Sequence, residues 1–315
     1  MHKGKGASFP FIRWTETQVV GNAEVENVAQ AVEIVAAIDG LVDCILLDSE
    51  SHPVAAENGL YAVVAPHVSH SRLLAYRDGN AHLDAAEALI ARLMQGNIAG
   101  ARIAVCGLSS LGLKLAMRLL EIGANVYLWD PVADKLTQSI SLLEQWCRLE
   151  GVAAQHVFAL ENAGEKIELL VGTALSESVV TADLIDKVAQ QGLVLDAGVG
   201  SLQGSAVEQA IALGLKLYRL DMRAGLSGQI ALVLDTDELV NHLMGVNKLA
   251  GQEVVAGGAI GRRGAIIVDA IHNPTRVIGV ADGRGGLIAG DQLNEYEERV
   301  QAVKAELLHL RLPAH

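Results

Sequence analysis

Six residues of this chain, Gly107-Leu108-Ser109-Ser110-Leu111-Gly112, end an apolar run and open a helical one, and an acid, Asp130, follows 18 residues after the last of them. That spacing suits a grip on a dinucleotide. Glycine at the first position permits a tight strand-to-helix turn, and glycine at the sixth lets the helix pack closely on the strand. The N–H groups at the helix start then face phosphate, with Gly107, Ser109, Ser110, Leu111 and Gly112 forming the cradle. Asp130 is expected to accept the hydroxyls of an adenosine ribose, and its charge opposes a 2′-phosphate, which favours NAD over NADP. One position departs from the pattern: Ser109 stands where a second glycine would let backbone approach a pyrophosphate. Either its Cβ pushes the pyrophosphate outward or its hydroxyl bonds a phosphate.

In an open parallel sheet the ligand lies beyond the carboxyl ends of the strands. Thr173, Ala174 and Leu175 stand where a nicotinamide and its ribose would rest. Asp196 and Asp221 close two further strands, as ligand contacts or as caps of their own loops. Four of the ten histidines, His52, His67, His70 and His82, fall within about thirty residues of one another. Imidazole titrates near neutral pH, so one facing the nicotinamide could exchange a proton. His67 and His70, which follow a strand end, are the expected catalytic pair. His67-Val68-Ser69-His70 lacks the adjoining carboxylate of a metal site, and the three cysteines have no ligand spacing, so no metal is expected. Arg72, Arg223, Arg262 and Arg263 are candidates for two-point contact with a substrate carboxylate; the alternative for Arg262 and Arg263 is a solvated glycine-rich loop.

The segment Asn97-Ile98-Ala99-Gly100-Ala101-Arg102-Ile103-Ala104-Val105-Cys106-Gly107, with Gly123-Ala124-Asn125-Val126 after it, resembles the NAD-binding segment of adenosylhomocysteinases. It is also similar to the dipicolinate synthases and to the D-2-hydroxyacid dehydrogenases. Leu193-Val194-Leu195-Asp196-Ala197-Gly198, Gly214-Leu215-Lys216 and Ala224-Gly225-Leu226-Ser227-Gly228 resemble dipicolinate synthase in particular. The likeness covers about residues 97 to 230 and implies a Rossmann NAD(P)-binding domain. The departures bear on chemistry. Asp196-Ala197-Gly198-Val199-Gly200 lacks the catalytic arginine of the hydroxyacid dehydrogenases, and their glutamate and Pro-His pair have no counterpart. Nor do the lysine and aspartate of adenosylhomocysteinase. The resemblance implies a fold and a cofactor type, and leaves the reaction open.

These residues need a frame, and the apolar pattern supplies one. Apolar positions three and four apart mark helices over 22–38, 81–95, 113–122, 133–149, 204–213 and 291–311, with a helix-like stretch over 181–190. Short apolar runs mark strands at 44–47, 61–65, 72–76, 103–106, 125–129, 169–172, 193–196 and 216–220. Alternation of this kind builds a parallel sheet with right-handed crossovers. The fold class is therefore α/β: a doubly wound parallel-sheet domain over 98–240 that binds a dinucleotide, and a smaller α/β domain built from both termini, 1–97 with 241–315, for substrate or dimerisation. The heptad-like seam of the last helix, Leu293, Tyr296, Val300, Val303, Leu307 and Leu310, suits packing on another helix, and a homodimer is expected.

Composition narrows the functional class. The 315 residues are 51 % hydrophobic, and 37 acidic against 24 basic residues leave a net charge of −13. A surface so acidic repels phosphate backbones, which speaks against nucleic acid. No apolar run reaches the roughly 20 residues a bilayer requires. With no secretory leader pattern at the start and no cysteine framework, the expected place is the cytoplasm. The leading expectation is an enzyme: an NAD-dependent oxidoreductase moving hydride to or from a small polar, carboxylate-bearing substrate. Two alternatives use the same loop and acid. One is an S-adenosylmethionine-dependent methyltransferase, and the other a non-catalytic nucleotide-sensing subunit.

Overall fold

The computed structural model describes residues 12–49, 59–151, 156–175 and 177–311; His52 lies outside them. Two short strands, β1 (Ile12–Trp14) and β2 (Val19–Gly21), pair antiparallel. Helix α1 (Val28–Ile38) begins later than periodicity implies, because Asn27 Oδ1 accepts the Gln30 N–H and so fixes the first turn. Strand β3 (Cys44–Asp48) follows, then helix α2 (Gly59–Val64) and strand β4 (Arg72–Tyr76), which pairs parallel with β3. The apolar run 61–65, expected as a strand, is thus helical for most of its length. Leu60 and Val64, four residues apart, both turn into a small core with Ala31, Val35 and Ile45, a contact that only helical spacing permits.

Helix α3 (Asp78–Leu93) leads to the central sheet. This runs β5 (Arg102–Cys106), α4 (Ser110–Glu121), β6 (Asn125–Trp129), α5 (Ala133–Glu150), β7 (Val157–Ala159), β8 (Ile167–Gly172), α6 (Ala182–Ile185), β9 (Val188–Asp196), α7 (Gly204–Ala212) and β10 (Lys216–Arg219). Helix α8 (Arg223–Glu238) comes next. The helix-like stretch 181–190 is only partly helical, since from Val188 the chain extends to join β9 beside β8.

All six strands are parallel, in the order β7-β6-β5-β8-β9-β10. Counted from β5, this is the 3-2-1-4-5-6 order of dinucleotide-binding folds, with its reversal between β5 and β8. Both faces are covered. Ile103 and Val105 pack with residues of α3, α4 and α5, while Ala104 and Cys106 pack with residues of α6 and α7. Adjacent side chains of one strand enter opposite cores, which explains why β5 reads as an unbroken apolar run.

The chain divides into two compact units, Met1–Gln229 and Ile230–His315, with α8 running across the boundary. In the second unit β11 (Gly245–Leu249), β12 (Gln252–Ala256), β13 (Ile266–Val268) and β14 (Val277–Val280) form a smaller mixed sheet, followed by α9 (Glu297–Arg311). Val300, Val303 and Leu307 of α9 are buried against Val254, Val268 and Val280 of this same sheet. The seam expected to meet another helix therefore covers a sheet of its own unit, and only Leu310 at its end stays exposed. Among the described residues no helix is long and apolar enough to cross a membrane.

Helix α8 approaches α3 unusually closely. A Cβ on Gly225 would lie 1.9 Å from the Ala81 carbonyl oxygen, and Gln229 Nε2 donates to Asp84 Oδ2 at 2.8 Å. Helix propensity alone makes Gly225→Ala a gain of roughly 1 kcal/mol. The collision reverses the sign, so urea denaturation of Gly225→Ala is expected to show a loss of about 1–3 kcal/mol.

Candidate functional site

The loop after β5 enters α4 through a turn that needs glycine. Gly107 has φ +90°, and a Cβ there would fall 2.7 Å from the Ala174 nitrogen. At Gly112 the crowding comes from the Gly107 carbonyl at 2.4 Å and the Thr173 hydroxyl at 2.5 Å. Both ends of the six-residue loop are thus glycine because neighbouring backbone leaves no room.

Ser109 resolves its own departure from the pattern. Its φ of −69° is ordinary for any residue, and it is the N-cap of α4, with Oγ accepting the Gly112 N–H at 3.4 Å. The same hydroxyl donates to the Thr173 carbonyl at 2.9 Å. It is committed to two protein groups, which disfavours its use as a phosphate ligand. Thr173 is fully buried, and its hydroxyl donates to the Gly107 carbonyl and reaches the Cys106 carbonyl at 3.2 Å. A side chain expected beneath a nicotinamide instead ties the loops after β5 and β8 together. Ala174 is buried beside it, whereas Leu175 is 55 % exposed on the rim.

Asp130 is buried at the end of β6. Its Oδ2 accepts the Leu108 N–H at 2.7 Å and pairs with Lys135 Nζ at 3.0 Å; its Oδ1 accepts the Val132 N–H at 3.1 Å. Burial opposes ionisation, but the Leu108 N–H, the Lys135 ammonium and the Val132 N–H together hold the carboxyl below its ordinary value. A carboxylate offers about four acceptor sites. Three donors already occupy it, so one site remains for a ribose hydroxyl where two were expected. Lys135 also offsets the charge that was to repel a 2′-phosphate. With Gly107, Ser109, Asp130, Ala174, Leu175 and Lys135 in its wall, the crevice encloses about 220 Å³ at the strand-order reversal.

Asp196 acts as a loop cap. Oδ2 accepts the Gly200 N–H at 2.7 Å, and Oδ1 accepts from the Ser201 hydroxyl at 2.6 Å. Ser110 and Leu111 form the first turn of α4, with Leu111 buried in the core. The expected catalytic histidines are placed elsewhere. His67 ends a short 3-10 turn, and His70 Nδ1 contacts Asp39 Oδ2 at 3.0 Å, where Asp39 also accepts the Ser69, His70 and Ser71 N–H groups. Neither lines the crevice. Arg72 lies on β4, while Arg262 and Arg263 belong to the second unit, where Arg263 donates to Gln292 at 3.0 Å.

Arg223 lies on a second, larger cavity of about 750 Å³ at the carboxyl end of β10, together with Arg13, Asp78 and His82. His82 and Arg13 were not among the sequence candidates. The signal for His82 was its spacing of four residues from Asp78 on one helix; nothing local marked Arg13. Among the described residues no group of three or more histidines, cysteines or acids is placed to hold a metal.

No protein-family model matches the chain, and no curated protein matches it. Solved structures do. Dipicolinate synthase from Bacillus halodurans aligns at 18 % identity over 67 % of this chain and 70 % of its own, with a TM-score of 0.35. L-tryptophan dehydrogenase from Nostoc punctiforme aligns at 15 % identity over 70 % and 63 %, TM-score 0.43. Hetero-hexameric glutamate dehydrogenase from Thermus thermophilus aligns at 16 % over 70 % and 60 %, TM-score 0.40. The chain thus spans less than two thirds of either dehydrogenase chain. The likeness is one of fold, and includes dipicolinate synthase, which the sequence itself resembles.

The bonds at Asp130 have a pH signature. A carboxyl whose folded pKa lies below its unfolded value of 3.8 contributes stability above that value and loses it as pH falls through the lower folded one. Urea unfolding between about pH 5 and about pH 2 should therefore show a shallower acid-side loss for Asp130→Asn than for the parent chain. Identical slopes would mean that this carboxylate does not hold the loop.

Proposed function

We propose that the chain is an NAD-dependent oxidoreductase acting on a small polar, carboxylate-bearing substrate. The observation that carries this reading is the placement of the glycine loop. It lies at the reversal of a 3-2-1-4-5-6 parallel sheet, and the acid ending the second of those strands bonds to its backbone. The reversal point is where such folds bind ligands.

The residues present fit a dinucleotide. Glycine at 107 and 112 keeps side chains out of the tight turn, and α4 presents the partial positive charge of its N-terminus to phosphate. Asp130 keeps one acceptor site for a ribose hydroxyl, and Lys135 beside it is a half-exposed cation at the crevice rim. Ala174 and Leu175 form the apolar side of the crevice, suited to the flat face of a base. When bound, the dinucleotide supplies or takes up a hydride. The chain's own task is to orient it and to present a substrate at the same carboxyl edge, where β8, β9 and β10 also end.

Differential scanning fluorimetry separates this reading from the two alternatives. NAD is expected to raise Tm with a dependence on concentration, since a ligand that binds only the folded chain stabilises it by mass action. NADP is expected to act more weakly, because Asp130 opposes the 2′-phosphate and Lys135 only partly compensates. Stabilisation by S-adenosylmethionine or S-adenosylhomocysteine with none from NAD would replace the oxidoreductase by a methyltransferase. NAD binding without turnover of any hydroxy or oxo acid would leave a sensing subunit.

A further inference from the structure

The larger cavity lies apart from the glycine loop but at the same end of the sheet. Its wall takes Arg13 and Trp14 from β1, Asp78 and His82 from α3, and Asp221 and Arg223 from the segment after β10. At about 750 Å³ it falls within the usual range for small-molecule sites. Ile12 and Trp14 expose apolar surface at its rim, and the charged groups converge inside.

We propose that this cavity is a binding site for a small carboxylate, gripped by the Arg13 guanidinium and hydrogen-bonded by His82. The proposal rests on the oxidoreductase reading for its place in a reaction, but the anion site is measurable without the nucleotide.

Local charge supports an anionic ligand. The chain as a whole carries −13, yet this wall sets Arg13, Arg219 and Arg223 against Glu24, Asp78 and Asp221. The balance is neutral with neutral His82 and positive once His82 is protonated. Two of the acids are answered within the wall. Asp221 receives the Arg223 backbone N–H at 3.0 Å and its Nε at 2.7 Å. Asp78 Oδ2 meets His82 Nδ1 at 3.2 Å, while Tyr76 donates to Asp78 Oδ1 at 3.4 Å. Arg13 Nη2 contacts Met222 Sδ at 3.2 Å. A thioether is a weak acceptor, so a carboxylate competes successfully for that nitrogen.

His82 is set up as a donor. Its Nδ1 faces two acceptors at once, the Asp78 carboxylate and, at 3.3 Å, the Asp78 carbonyl oxygen. A carbonyl only accepts, so Nδ1 carries a proton in either charge state, and Nε2 is the atom that gains or gives one. The side-chain bond to Asp78 raises the His82 pKa above 6.5 against the opposing effects of burial and of Arg13. The groups around it are Asp78 on α3, Tyr76 of β4 acting through Asp78, Arg13 of β1, and the cavity charges Glu24, Arg219, Asp221 and Arg223. Asp78 is a positioning residue: it fixes the ring and its tautomer without being required to touch the ligand.

The test is isothermal titration calorimetry of the full chain with oxalate, malonate and lactate, and with NAD in separate runs. At least one of the three acids is expected to bind, more weakly as pH rises through the His82 pKa. Arg13→Gln should weaken that binding by about tenfold or more through loss of the two-point contact. His82→Gln should weaken it and flatten its pH dependence, and Asp78→Asn should shift the pH midpoint downward. NAD affinity should stay unchanged in all three variants. His82→Gln leaves the β1–β2 pair untouched, so it decides the matter even if Arg13→Gln unfolds that pair. No binding of any acid, or equal binding by parent and His82→Gln, overturns the site. Loss of NAD binding to the parent chain with acid binding intact overturns the oxidoreductase reading instead and leaves the anion site standing.

Discussion

The arrangement depends on one close approach of backbone to backbone, where the loop after β5 meets the loop after β8. Strand order reverses there, and the crossovers on either side leave in opposite directions. Adjacent loops must then share the space above the gap. They do so at distances that exclude a side chain: Gly107 against the Ala174 nitrogen, and Gly198 against the Ala174 carbonyl at 2.1 Å from a would-be Cβ. The polar groups enclosed by this contact are satisfied within it. Thr173 gives its hydroxyl to Gly107, and Ser109 gives its own to Thr173. A buried hydroxyl without a partner would cost about 1–3 kcal/mol, so the knit is a condition of packing this tightly.

From this junction the order spreads sideways. Asp130 joins the end of β6 to the glycine loop through the Leu108 N–H, and Asp196 ties the loop after β9 through Gly200 and Ser201. Each of these strand ends along the carboxyl edge thus bonds to the loop beside it. The consequence for binding is pre-organisation: a ligand entering the crevice meets loops already held, and less conformational entropy is lost on association. The buried thiol of Cys106, at the end of β5, is pushed upward in pKa by burial and contributes packing alone.

The parts of the fold legible in the sequence are those whose pattern is enforced by two cores at once. β5, β6 and β8 read clearly because burial on both faces demands consecutive apolar residues, and α4 because Leu115, Ala116, Leu119 and Leu120 face one core. What escaped the reading was decided by distant contacts. β7 is three residues long and is recognisable only from its pairing with β6 and the stacking of Phe158 on Tyr127. Helix α2 looked extended because Val63 and Val64 favour strands, but the small core around Ile45 decided otherwise. At the site, the glycine loop and Asp130 were legible as a unit. The exposed pair around His70 drew notice because it follows an apolar run, yet Asp39, over thirty residues earlier, uses that turn as a structural cap. His82 was passed over because its meaning depends on Arg13, which no local spacing connects to it.

A division of labour follows from where the hydrogen bonds go. Ser109, Asp130, Thr173 and Asp196 all stand at the carboxyl edge, and each has bonds to backbone groups of its own or a neighbouring loop. Groups so employed hold positions; their spare capacity for a ligand is small, as the single open acceptor site on Asp130 illustrates. Chemistry at this edge has to be brought by residues that are not part of the knit. Those that reach it come from outside the six-stranded sheet, Arg13 on the β1–β2 pair and His82 on α3, with Asp78 preceding His82 by one helical turn. The sheet's loops supply the rigid floor, and the elements that precede it in the chain supply groups able to change charge.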